Sequence, residues 1–189
     1  MRFWAFLILL LAQLWLGSLA CAQQHEKDPL GLKNSVWGQA AQSRRLDPYL
    51  LYAISLVESG RVGEDGLVRP APYAVYGAGP AINHPDHESA ARDLQERMKR
   101  SKNVNLGAMQ INLYWHGSRV DTPEDLLDFK TNVDIGAQIL AEAYRSHSDK
   151  DIAVGRYYSW RTHLARPYGK KIRAVAQNLK DLTLSVENH

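Results

Sequence analysis

A mainly α, single-domain helical bundle with one long irregular loop is the fold this sequence predicts. Three observations carry it: helix-period apolar patterns recur after residue 30, no stretch repeats a period-two alternation of β-branched residues, and Gly and Pro concentrate in one central segment. The chain of 189 residues suffices for one sizeable core, whereas two domains would be cramped.

The N-terminus is read first. Met1-Arg2 precedes an apolar run over 3–16, broken by Gln13, and Ala20-Cys21-Ala22 fits a small-x-small cleavage site. This pattern predicts a secretory signal peptide over 1–22 and a mature domain over 23–189. The run falls short of the ~20 residues that span a bilayer, which favours export over an uncleaved anchor. Cleavage after Ala22 removes Cys21, the only cysteine, so the mature chain forms no internal disulfide. Ser18-Leu19-Ala20-Cys21 loosely resembles a lipoprotein box, with Ser18 where such boxes usually carry Leu. Soluble export is preferred; peripheral membrane contact, as an outer-membrane lipoprotein, requires that Cys21 be kept and acylated. The 23 Lys and Arg against 20 Asp and Glu give a net charge of +3, which loses one unit with Arg2. So mild an excess, with no polybasic block, argues against nucleic acid as the partner and fits an anionic polymer such as a cell-wall glycan.

An amphipathic segment covers about 30–45. The next helix, about 48–59, has Asp47 as N-cap, Pro48 at the first helical position and Gly60 as its stop. Leu51, Ile54 and Glu58 share one face, so the Glu58 carboxyl closes an apolar stripe and leaves the core at a cleft. Partial burial and the negative helix end both disfavour its charge, raising its pKa from ~4.3 toward the ~6 useful to a general acid. The plainer alternative is a solvated glutamate in a last helical turn.

Residues 61–85, with Arg69-Pro70-Ala71-Pro72 and Tyr76-Gly77-Ala78-Gly79-Pro80, read as a loop or short irregular strands, Gly77 and Gly79 allowing φ > 0. A charged helix over 86–101 carries Ala90, Leu94, Arg97 and Met98 at helical spacing. Thr122-Pro123-Glu124-Asp125 starts a short helix to about 129. Asn132 is expected to cap a helix to about 146, whose face carries Val133, Gly136, Ala137, Leu140 and Tyr144. Helices over about 151–160 and 167–182 complete the bundle. His84-Pro85-Asp86-His87 has no partner at standard ligand spacing, so no metal or other cofactor is expected.

Three separated segments hold the polar groups of a sugar-cleaving cleft: Glu58-Ser59-Gly60, Leu106-Gly107-Ala108-Met109-Gln110-Ile111-Asn112, and Arg156-Tyr157-Tyr158-Ser159-Trp160. With Asn132, Gly136 and Leu140 between the last two, their order resembles the soluble lytic transglycosylase domain. More narrowly, it resembles the wall-opening enzymes of conjugation and type IV secretion systems, with their ES, GLMQIN-like, N-x-x-x-G-x-x-x-L and RYN-type motifs. The likeness covers about 46–177, and the ordered set is far more specific than any one motif.

The resemblance implies a goose-type lysozyme-like fold, a cleft flanked by the long loop, and periplasmic cleavage of peptidoglycan at MurNAc–GlcNAc linkages. It implies Glu58 as the catalytic acid, Ser59, Met109, Gln110, Asn112, Tyr157 and Tyr158 as substrate-binding positions, and components of a conjugation or secretion apparatus as partners. This chain departs from the pattern at Ala108, where many relatives carry Leu, and at Tyr158, where the family usually carries Asn. A plainer role is open to several of these residues: Asn112 satisfying backbone groups, Met109 as core, and Tyr76, Tyr114, Trp115 and Trp160 as packing rather than sugar-stacking rings.

Overall fold

The computed structural model describes residues 28–182; the expected signal peptide and Cys21 lie outside the described residues. Helix accounts for 58% of that span and strand for 10%, so the protein is mainly α. Helix α1 (Val36–Gln42) follows a 3-10 turn at Leu32–Asn34, so the predicted segment at 30–45 is a turn and a helix in series. Helix α2 (Pro48–Ser59) begins as expected, the Asp47 carboxylate accepting from the Tyr49 N–H. Gly60 does not provide a left-handed stop. Its φ is −58°, and it opens strand β1, where a Cβ would sit 2.3 Å from the Leu56 carbonyl oxygen.

The glycine- and proline-rich segment forms short strands. β1 (Gly60–Val62) pairs antiparallel with β2 (Val68–Pro70). β3 (Ala74–Tyr76), β4 (Ile82–Asn83), β5 (Asn105–Leu106) and β6 (Ile111–Asn112) form a second antiparallel sheet in the order β4-β3-β5-β6. Strands of two or three residues are too short for a period-two pattern to register in sequence. Gly77 does take positive φ, at 86°, but its partner is Ala78 at 54° rather than Gly79. The loop is fastened by Arg97, which is 1% exposed on α3 (His87–Met98). Its guanidinium donates to the Gly77 and Pro80 carbonyls at 2.7 Å and to Asp93 at 2.9 Å, so the buried cation is paired and satisfied.

Helix α4 (Leu113–His116) follows β6 directly. A 3-10 turn at Pro123–Leu127 with the expected Thr122–Asp125 capping box leads into α5 (Phe129–Arg145). Its N-cap is Asp128, not Asn132, which is fully buried inside the first turn. Helix α6 (Lys150–Gly155) is shorter than expected, and α7 (Thr162–Asp181) starts before Pro167 and continues through it. Gly155 and Gly169 let α6 and α7 touch backbone to backbone: a Cβ at Gly155 would lie 1.8 Å from the Ala165 carbonyl oxygen, and one at Gly169 1.8 Å from that of Asp151. Helix α2 runs through the centre, with Leu51, Ala53 and Ile54 fully buried and α1, α5, α7 and β2 packed around it. Full burial of a side chain like Leu51 or Ile54 contributes roughly 1.5–3 kcal/mol, which anchors the helix whose last turn carries Glu58. No helix among the described residues is long and apolar enough to cross a membrane.

Candidate active site

The turn between β5 and β6, residues 107–110, is where the separated sequence segments meet. Gly107 has φ 72°, and its N–H donates to the Ala74 carbonyl on β3. The Asn132 side chain receives the Met109 N–H at 2.8 Å and donates to the Leu106 and Leu126 carbonyls, each at 2.8 Å. Gly136, one helical turn on, leaves the space filled by Met109, since a Cβ there would fall 2.6 Å from the methionine Cε. The spacing of Asn132, Gly136 and Leu140 is thus a clamp followed by a groove and a core contact. Asparagine expected to cap a helix is instead tying a turn to it.

Two further side chains grip the same turn. The Ser59 Oγ lies 2.7 Å from the Ala108 carbonyl and 3.1 Å from that of Ser55, and accepts from the Ala71 N–H. The Tyr157 hydroxyl donates to the Met109 carbonyl at 2.7 Å. Ser59 is 1% exposed and Met109 fully buried, and neither lines the cleft. Both hold the turn from within.

The cleft that this turn borders has a volume of about 730 Å³ and is lined by Glu58, Gln110, Asn112, Tyr157 and Tyr158. Glu58 is half-buried at the end of α2. Burial raises its pKa, while the Tyr168 hydroxyl, donating to Oε1 at 2.5 Å, and the Lys171 ammonium pull it down; the net direction is upward. The protonated form is thereby held nearer neutral pH than in an exposed glutamate. Tyr157 and Tyr168, buried beside this carboxyl, have their own pKa values raised and stay neutral donors.

Gln110 sits at φ 50° with its amide nitrogen spent on the Gly107 and Ala74 carbonyls, while its Oε1 has no protein partner. A strained, half-satisfied amide in a cleft wall is a feature that structures retain for ligands. Asn112 spends its amide nitrogen on Asn103 and Asn105 and its oxygen on the Trp115 N–H, so it caps α4 and braces the wall. Tyr158 is 61% exposed and stacks on Tyr168 with centroids 5.1 Å apart and planes 11° from parallel.

Several residues at the site had no signal in the sequence, and Tyr168, the first of them, reaches Glu58 without lining the cleft itself. Tyr168 comes from α7, 110 positions from Glu58, on a helix that local rules start at Pro167. Glu142 and Arg119 also line the cleft, joined by two hydrogen bonds of 2.8 Å. The Arg119 guanidinium holds the Glu142 carboxyl below its usual range, so this second acid is ionised and committed. From 61 to 106, Asn105 alone lines the cleft. His84 pairs with Asp93 at 2.9 Å, and His87 meets the Tyr73 ring edge-on. Among the described residues, no group of three or more His, Cys, Asp or Glu is placed to hold a metal ion. The chain matches no family model, no curated protein and no solved structure with which it was compared.

Proposed function

We propose that this protein is a peptidoglycan lytic transglycosylase with a lysozyme-like fold, cleaving the β-1,4 linkage between MurNAc and GlcNAc. The single observation that carries the reading is Glu58: a half-buried carboxyl with a raised pKa in a sugar-sized cleft, hydrogen-bonded by a neutral tyrosine. The order of the ES, GAMQIN and RYY segments supports it. In the reaction, Glu58 gives its proton to the leaving glycosidic oxygen as the bond to the anomeric carbon breaks. The resulting carboxylate takes the proton of the sugar's own C6 hydroxyl, whose oxygen bonds to the anomeric carbon. The product is a 1,6-anhydro-MurNAc end, water is not consumed, and Glu58 finishes protonated. As for context, we read the chain as exported to the periplasm, opening the wall locally for a conjugation or secretion apparatus. That reading rests on the motif resemblance and the N-terminal sequence.

One observation favours a second reading, a hydrolytic muramidase. Glycosidases commonly work with two carboxyl groups, and Glu142 is an ionised carboxylate in the same cleft. Its two oxygens are engaged by Arg119, which is why the single-acid route is preferred. Digestion of purified peptidoglycan followed by mass spectrometry separates the two, since anhydro ends are one water lighter than reducing ends. Reducing ends, together with activity abolished in Glu142→Gln, would replace transglycosylation by hydrolysis. Wall cleavage unchanged in a folded Glu58→Gln variant would remove both readings and leave a non-catalytic glycan-binding role.

A further inference from the structure

A second concavity, of about 510 Å³, shares no lining residue with the cleft that holds Glu58. Asp47 and Leu50 reach it from the start of α2, whereas Glu58 lies in the last turn of that helix, about 16 Å further along at the usual rise per residue. Tyr144 from α5 and Asp151 from α6 form its sides, and one face of α7 closes it. Lys170, Arg173, Gln177 and Lys180 recur at helical spacing, so they stand in line along that face over about 15 Å.

The cations of this groove are unequally engaged. Lys180 donates to Asp47 at 2.5 Å, and its ammonium lies 5.4 Å from the centre of the Tyr49 ring. Arg173, half exposed, gives Nη1 to Asp151 at 2.5 Å. Lys170 is exposed and has no partner among the described residues. Beside them Lys150 places its ammonium 4.0 Å over the Tyr144 ring. Four cations therefore meet two carboxylates, and Lys170 and Arg173, one helical turn apart, are the pair open to an incoming anion.

The remaining lining decides which anion fits. Gln177 spends its amide nitrogen on Asp181, which leaves its oxygen to accept, and the Asp47 and Asp151 carboxylates are further acceptors. A phosphate polymer has closely spaced charges that those carboxylates repel, and it brings no backbone N–H to these acceptors. A bilayer surface is flat and does not enter a concavity. The floor is apolar, with Leu50 8% and Ala176 3% exposed next to Tyr144. A peptide supplies all three complements: carboxylates for the cations, backbone N–H groups for the acceptors, and an apolar side chain for the floor.

We propose that this groove docks an acidic segment of a partner protein, extended along α7 with carboxylates on Lys170 and Arg173 and an apolar side chain against Tyr144. The groove's length accommodates about five extended residues. The docking is separate from the reaction assigned to Glu58, and its test reads binding alone.

The probe is a fluorescein-labelled peptide of Glu and Asp around a central Leu, titrated with the full chain and read by fluorescence anisotropy. Binding is expected to saturate and to weaken several-fold from low to physiological salt, as partly exposed ion pairs do. Lys170→Glu, which breaks no contact within the protein, weakens it about tenfold with circular dichroism unchanged. Arg173→Gln has a similar effect, and because it also frees Asp151 its melting temperature is recorded alongside. Replacing the peptide's Leu by Ser lowers affinity several-fold. Absence of saturable binding, or unaltered affinity in Lys170→Glu, would overturn the proposal. So would inorganic polyphosphate or phosphatidylglycerol vesicles displacing the peptide at equal or lower charge concentration, since the groove would then be a general anion-attracting surface.

Discussion

At Glu58, burial and hydrogen bonding pull in opposite directions, and the balance can be read by changing one group at a time. The unfolded chain ionises this carboxyl at its ordinary value of 4.5, whereas the folded chain does so at a higher pH. Between those two values only the folded state keeps the proton, so this group's stabilising contribution is full below 4.5 and is lost as pH rises through the folded pKa. Glu58→Gln, which cannot ionise, is therefore expected to hold its Tm through that window while the wild type declines, the two converging on the acid side. Parallel melting curves would show that the carboxyl is not held protonated. The same variant should lose roughly 10²–10⁴-fold in wall cleavage, the usual worth of a positioned general acid. Tyr168→Phe removes a hydrogen bond that favours the carboxylate, so the Glu58 pKa rises and the alkaline limb of the pH–rate profile moves to higher pH. An unmoved limb would mean that the tyrosine does not tune the acid.

Among the elements, α5 and the α6–α7 pair decide whether the cleft keeps its shape. Asn132→Leu strips partners from one buried N–H and two carbonyls and should cost about 3 kcal/mol or more, read as a lower denaturation midpoint with an unchanged slope. Gly155→Ala forces a methyl group into the Ala165 carbonyl. A loss of about 3 kcal/mol, or roughly 6–12 °C in Tm, is expected from calorimetry, and a change below about 1 °C would contradict the close approach. Asp47-Pro48 made the start of α2 readable because capping is local chemistry, settled within a few residues. Asn132 resembles a cap for the same reason: asparagine favours the cap position, and only tertiary contact reveals that Asp128 caps the helix while Asn132 reaches into the core. Pro167 likewise looks like a first-turn residue, yet the packing of α7 against α6 carries the helix through it.

The whole molecule carries a charge pattern that sets its acid limit. The carboxyls of Asp28, Asp93, Asp128 and Asp149 are held below their ordinary 3.8 by backbone or side-chain donors, and exposed Asp65 is lowered to about 2 by Arg69. Stability from such groups is present above 3.8 and is lost as pH falls through their folded values. The Tm should therefore drop steeply between about pH 4 and pH 2, measurable by circular dichroism; a flat profile there would mean that these contacts do not persist in solution. Of the cleft, the sequence exposes the motif-bearing segments but not Tyr168, Arg119 or Glu142, whose partners lie far away along the chain and follow no local periodicity. That separation has a temporal consequence. A ribosome delivers Glu58 long before Tyr157 and Tyr168, so a nascent polypeptide, or one clipped ahead of its final long helix, carries an unassisted glutamate in water. Only when the last long helix docks on α2 does the Glu58 carboxyl gain the Tyr168 hydroxyl and its cover from water.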